Sequence, residues 1–229
     1  MNERVIRVWD LPTRIAHWSV VALLVAAIAS VKIGGNAMVW HGRAGLALLG
    51  LVVFRIVWGV VGSTYARFAD FVPRPRAIVD YLAGRWRGAG HNPLGALSVL
   101  ALLALVALQS SAGLFANDDI AFYGPLAALV SDELGALATR LHRRAEWVLY
   151  AMIGLHVAAV MFHLHVKKEN LIAPMITGRK RVRDPAIESA RGGGAAAFVI
   201  AFAIAVAAVW TASGGALPPP EPPPPVPSW

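Results

Sequence analysis

The sequence predicts an all-α integral membrane protein: a four-helix transmembrane bundle with an additional fifth transmembrane helix near the C-terminus. Three observations carry this expectation. Hydrophobic residues make up 57% of the 229 residues and charged residues only 15%, whereas charged residues are about a quarter of a soluble domain. Mean hydropathy is +0.59, so lipid is the natural solvent. The apolar residues also gather into five runs, at about 15–33, 39–61, 94–116, 145–166 and 195–212. A spanning helix needs about 20 such residues. Backbone in hydrocarbon must satisfy its own hydrogen bonds, and no alternating pattern of a β-barrel is present, so the runs are read as helices.

The first run begins with Arg14, His17 and Trp18, which fits a retained helix better than a cleaved signal peptide. The last is Ala-rich and the shortest of the five. Basic residues set the orientation. Fifteen Lys and Arg lie in the N-terminus, the 62–93 loop and the 167–194 segment, against five on the other side. The N-terminus is therefore expected in the cytoplasm and the C-terminal tail outside. The chain has a formal charge of +8 and a pI of about 10.6. Its basic residues alternate with apolar runs instead of sharing a soluble face, so nucleic-acid binding is not expected. The Pro-rich tail after Leu217 predicts an extended polyproline segment. It reads either as an end without a role or as a docking strip.

Cysteine is absent, which excludes disulfides, thiolate-held metals and Cys-attached haem. Histidine is then the candidate ligand. His17 lies near the inner start of the first run and His41 at the outer start of the second. His142 and His156 lie on the fourth, 14 residues apart. On a helix that is about 21 Å of rise and only about 40° short of whole turns, so both imidazoles share a face at two depths. The expected pairs are His17 with His156 and His41 with His142. Two neutral imidazoles on each iron suit two stacked haems b and leave no open coordination position, which favours electron transfer over oxygen binding. Zinc would want three or four ligands at one point.

Other residues keep two readings. His163 shares the His156 face and is the rival inner ligand, but the following His-Val-Lys-Lys run belongs at the water boundary. His165 points elsewhere. His91 precedes Asn92-Pro93 and reads as a loop or capping residue. Arg43, Arg143 and Arg144 flank the outer pair and Arg14 the inner one. They serve either haem propionates or interfacial anchoring. Arg55, about two turns from the inner end of the second run, is expected to snorkel to the interface. Gly45, Gly50, Gly113 and Gly154 would admit a flat macrocycle or close helix packing.

These residues fall in motifs. They are Val8-Trp-Asp-Leu-Pro-Thr-Arg-Ile-Ala-His-Trp, Trp40-His-Gly-Arg-Ala-Gly, Phe54-Arg-Ile-Val-Trp-Gly, Gly90-His-Asn-Pro-Leu-Gly, Gly154-Leu-His, and Lys168-Glu-Asn-Leu-Ile-Ala-Pro-Met-Ile-Thr-Gly. Over about residues 5–180 the sequence resembles the bacterial cytochrome b561 family, which includes the b-type cytochrome subunits of nickel–iron hydrogenases. The resemblance implies a four-helix core with two haems b, in a multi-pass protein of the bacterial inner membrane. His17, His41, His142 and His156 would be ligands. Electrons would pass between the quinone pool in the bilayer and a partner such as a hydrogenase-type subunit or a c-type cytochrome. Candidates for proton exchange at a quinone are His91, His163 and Asp70 inside, and Glu146 and Asp119 outside. The implied division is a dihaem membrane domain at 1–180, a cytoplasmic linker at 181–194, the fifth helix at 195–212 and a periplasmic tail at 213–229. Two other classes remain on sequence grounds. One is a transporter using its histidines for protons or metal ions, although the first four runs hold no mid-span Asp or Glu. The other is a membrane anchor without redox chemistry.

Overall fold

A computed structural model describes residues 3–118 and 122–217. Asp119 and the tail from residue 218, including Glu221, lie outside the described residues. Among the described residues, five helices are long and apolar enough to cross a membrane. They are α1 (Leu11–Ile33), α2 (Met38–Val61), α5 (Pro93–Phe115), α6 (Asp132–His165) and α8 (Ala195–Ala212). Short helices α3 (Phe68–Phe71), α4 (Pro75–Leu82) and α7 (Ile172–Thr177) lie between them.

Local signals set the helix starts. Asp10 caps α1 by accepting from Thr13 N at 2.7 Å, and Pro12 lies in the first turn, where its missing N–H costs nothing. Asn92 caps α5 in the same way through Gly95 N at 2.7 Å. Ser131 caps α6, and Asp132 and Glu133 complement the positive end of its dipole. The apolar runs underestimate two helices as a result. α1 begins four residues before residue 15, and α6 begins 13 residues before 145. At 34 residues, α6 is about 51 Å long and outruns a hydrocarbon core of about 30 Å.

α1 and α2 form a hairpin, as do α5 and α6, and α2 packs on α5 to join the two. Leu48, Val52, Val106 and Leu149 form the central contact. α8 is a full member of the bundle and lies along α2. Ala201 and Ala205 pack on Phe54 and Trp58, and a Cβ on Gly50 would come within 2.7 Å of Val209. Small residues allow such close approach where apolar burial alone gives no drive. α6, in contrast, has no extended backbone contact with α1 or α2. The histidine-bearing helices therefore face one another through side chains.

One end of the bundle carries a cap that the hydropathy pattern does not announce. Strand β1 (Arg4–Arg7) pairs antiparallel with β2 (Arg179–Val182), matching Arg4 with Val182 and Arg7 with Arg179. Gly178, at φ +79°, turns the chain out of α7. Its carbonyl accepts from Val8 N at 2.8 Å and Trp9 N at 3.2 Å. A Cβ there would meet Trp9 O at 2.7 Å, so only glycine suits this left-handed turn. The stretch read as a linker is docked: Ala190 N donates to Arg7 O at 2.7 Å, and Ser63 bridges Gly192. Ile6, Val8, Trp9, Ala89 and Val182 form the cap's small core.

Candidate functional site

The outer pair is brought together. His41 of α2 and His142 of α6 have ring centroids 5.9 Å apart and planes at 86°. Two imidazoles on opposite sides of one metal ion, with metal–nitrogen bonds of about 2 Å, have centroids about 6 Å apart. The Nδ1 atoms also agree. His41 Nδ1 lies 3.0 Å from Ala27 O, and His142 Nδ1 lies 2.9 Å from Gln109 O. A carbonyl can only accept, so both Nδ1 atoms carry the proton and both Nε2 lone pairs are free. That is the second-shell arrangement of a ligating histidine. A Cβ on Gly113 would lie 3.1 Å from the His142 ring. Gly45, one turn after His41, and Gly154, two residues before His156, meet nothing within 4 Å of an added Cβ. Neither is needed for close helix packing, whereas Gly50 serves the packing of α8.

The inner pair is looser. His17 of α1 and His156 of α6 lie within electrostatic reach of each other, and His17 Nδ1 is buried without a hydrogen-bond partner. His163, the rival, has both nitrogens occupied. Nδ1 donates to Ala159 O at 2.9 Å, and Nε2 accepts from the Tyr81 hydroxyl at 3.1 Å. It is buried. His165 is exposed. A His163→Leu variant is expected to keep the full haem content of the wild type, as measured by pyridine haemochromogen assay; loss of haem would restore His163 as a ligand.

The flanking arginines differ. Arg14 Nη1 donates to Ile176 O, tying α1 to α7. Arg43 lies over the Trp40 ring at 4.9 Å. Arg143 lines an open cleft of about 310 Å³ with Arg140, Arg144 and Trp147. Asp70 pairs with Arg67 at 2.7 Å on the surface, and Glu146 accepts from the Tyr150 hydroxyl.

Two residues carry more than the sequence suggested. His91 is a loop residue, but its ring sits between Trp9 (4.5 Å) and Phe71 (4.7 Å), and its Nδ1 is buried and unpartnered. Burial, helped by the nearby Arg55, His156 and His17 charges, pushes it down to about 3, so it is neutral at physiological pH. Arg55 does not snorkel. Its guanidinium lies over Phe68 and Phe71 at 5.1 and 5.6 Å, with Nη1 and Nη2 both buried. The signal for Arg55 was its position inside an apolar helix. The burial of His91 had none, because the rings around it come from the N-terminus and the 62–93 loop.

Among the described residues no group of three or more His, Cys, Asp or Glu side chains gathers at one point. Two-histidine haem ligation suits this paired donor set. Residues 8–178 match the family model of prokaryotic cytochrome b561. The chain belongs to the prokaryotic cytochrome b561 family. Members are membrane b-type cytochromes that work in electron transfer, with haem b as the typical cofactor. The five apolar helices make this member a multi-pass membrane protein. No curated protein and no solved structure matches the chain.

Proposed function

We propose that this cytochrome b561 carries two haems b and passes electrons across the bacterial inner membrane between the quinone pool and a partner redox protein. The observation that carries the proposal is the His41–His142 geometry, with its 5.9 Å centroid separation and both Nδ1 atoms on backbone carbonyls. His17 and His156 hold the inner haem. Bound haem iron supplies a one-electron couple between Fe(III) and Fe(II).

The remaining work belongs to the chain. The carbonyls of Ala27 and Gln109 fix the imidazole tautomers and make the ligands more basic. His41 with His142, and His17 with His156, would each hold one haem through two imidazoles, which would suit electron exchange over oxygen binding. A 14-residue step along α6 separates the ligands by about 21 Å, a large part of the hydrocarbon thickness of about 30 Å. Quinone exchanges two electrons and two protons, so it meets a one-electron chain in two steps. A hydrogenase-type subunit or a c-type cytochrome is the partner class at the other end. Arg14, Arg43 and Arg143 lie close in sequence to His17, His41 and His142 on the haem-bearing helices, as candidates for propionate contacts. The excess of basic residues at the capped end orients that end, with the N-terminus, to the cytoplasm, and an odd number of spans carries the tail to the periplasm.

The test is an absorption spectrum in detergent, oxidised and reduced, with a haem count per chain. Two haems per chain with sharp reduced α and Soret bands support the reading. A colourless protein from haem-replete cells would sink it. His156→Ala is expected to lose one haem and keep the other; retention of both would remove His156 from the ligand set.

A further inference from the structure

We propose that Arg55 is the carboxylate anchor of the inner haem: it binds a propionate and holds a fixed positive charge beside that haem alone. The proposal rests on the two-haem reading above. Arg55 lies within α2, inside a membrane span, and both terminal nitrogens are buried without a hydrogen-bond partner. A guanidinium is always charged and presents a planar fork of donors. Left unpaired in a dry interior it is expensive, so an anion is called for.

The protein does not supply that anion. Asp10 is the acid within electrostatic reach, but its carboxylate accepts from Thr13 N at 2.7 Å, from Trp58 Nε1 at 3.1 Å and from the Ser63 hydroxyl. No ion pair of 4.0 Å or less involves Arg55 among the described residues. Nor is the guanidinium free to swing outward. It rests on Phe68 and Phe71, and Phe68 itself lies so close to α2 that a Cβ on Gly59 would come within 2.1 Å of its ring.

The surroundings say which haem is served. Phe71 also packs on His91 at 4.7 Å, and His91 lies within electrostatic reach of Arg55, His17 and His156 together. Thr13 Oγ1 is a second buried and unpartnered atom, one helical turn before His17 on α1. A bidentate Arg–carboxylate contact is a strong, oriented anion site. The outer pair lies at the other end of α2, beyond the reach of this charge.

A cation beside the haem favours the reduced iron, which carries one positive charge fewer. Arg55→Gln and Arg55→Lys would be purified in detergent beside the wild type and titrated potentiometrically at the α band, with haem counted in each. At the wild-type midpoint of the inner haem, the Gln variant is expected to show a reduced-to-oxidised ratio about tenfold lower, equivalent to about 59 mV for one electron. The outer midpoint stays unchanged and Arg55→Lys recovers most of the loss. Selective loss of the inner haem in the Gln variant, with retention in the Lys variant, supports the anchor equally. Unchanged midpoints with full haem, a shift confined to the outer haem, or equal loss of both haems in both variants would overturn it. A wild type that holds no inner haem would instead defeat the underlying reading, and that shows before any variant is made.

Discussion

Replacing His142 with Ala leaves the purified protein with one haem per chain in place of two, and the survivor titrates at the inner wild-type midpoint. The expectation follows from the way the outer site is built. His41 and His142 come from helices that make no extended backbone contact, and their rings meet at 5.9 Å. Removing one imidazole would leave one nitrogen to hold a haem between separated helices. The inner pair uses other residues, and a 14-residue step along α6 isolates it from the change. His41→Ala is expected to give the same spectrum, since each ligand is needed and neither has a spare. The measurement is the reduced-minus-oxidised α band with a haem count. Two haems retained in both variants would refute the outer pair, and loss of the inner midpoint in place of the outer would invert the assignment.

Asp10→Ala lowers the thermal midpoint of the detergent-solubilised protein by an amount on the order of 10 °C. Asp10 is buried, and its side chain does three things at once. It caps α1, a contact of about 1 kcal/mol. It also accepts from Trp58 Nε1 and the Ser63 hydroxyl, both fully buried. Each orphaned donor costs about 1–3 kcal/mol, so the total is about 3–7 kcal/mol. Asp10→Asn keeps one acceptor oxygen and should fall between the variant and the wild type. Circular dichroism and Soret absorbance on heating both read the effect. A midpoint within 2 °C of wild type, about what 1 kcal/mol would give, would show that Asp10 is not a tie between α1 and α2.

The bundle was legible because spanning helices announce themselves by length and hydropathy, and the histidine pairs because a helix converts spacing into direction and depth. His142 and His156 could be placed from their spacing alone. Asp10 was not legible as a tie, since its acceptor role depends on Trp58 and Ser63, 48 and 53 residues away. For Arg55 the sequence predicts a reach to water, because a long side chain two turns from a helix end commonly does that. The aromatic rings that hold it inside come from α3, whose packing on Gly59 no local pattern records. The β1–β2 pair escaped for a similar reason. Four-residue strands rich in Arg and Lys carry no alternating signal, and their partners stand about 175 positions apart in the chain.

That strand pair also sets a sequence of events during synthesis. Arg4–Arg7 emerges first, and its partner Arg179–Val182 is made only after four of the spanning helices. At about 5–20 residues per second, the wait is on the order of 10–35 s. The N-terminal end of the bundle is therefore sealed late, after His17 and His156 have both been delivered to the membrane. A ribosome stalled just before residue 179 would leave a nascent chain with all four candidate ligand histidines and no seal.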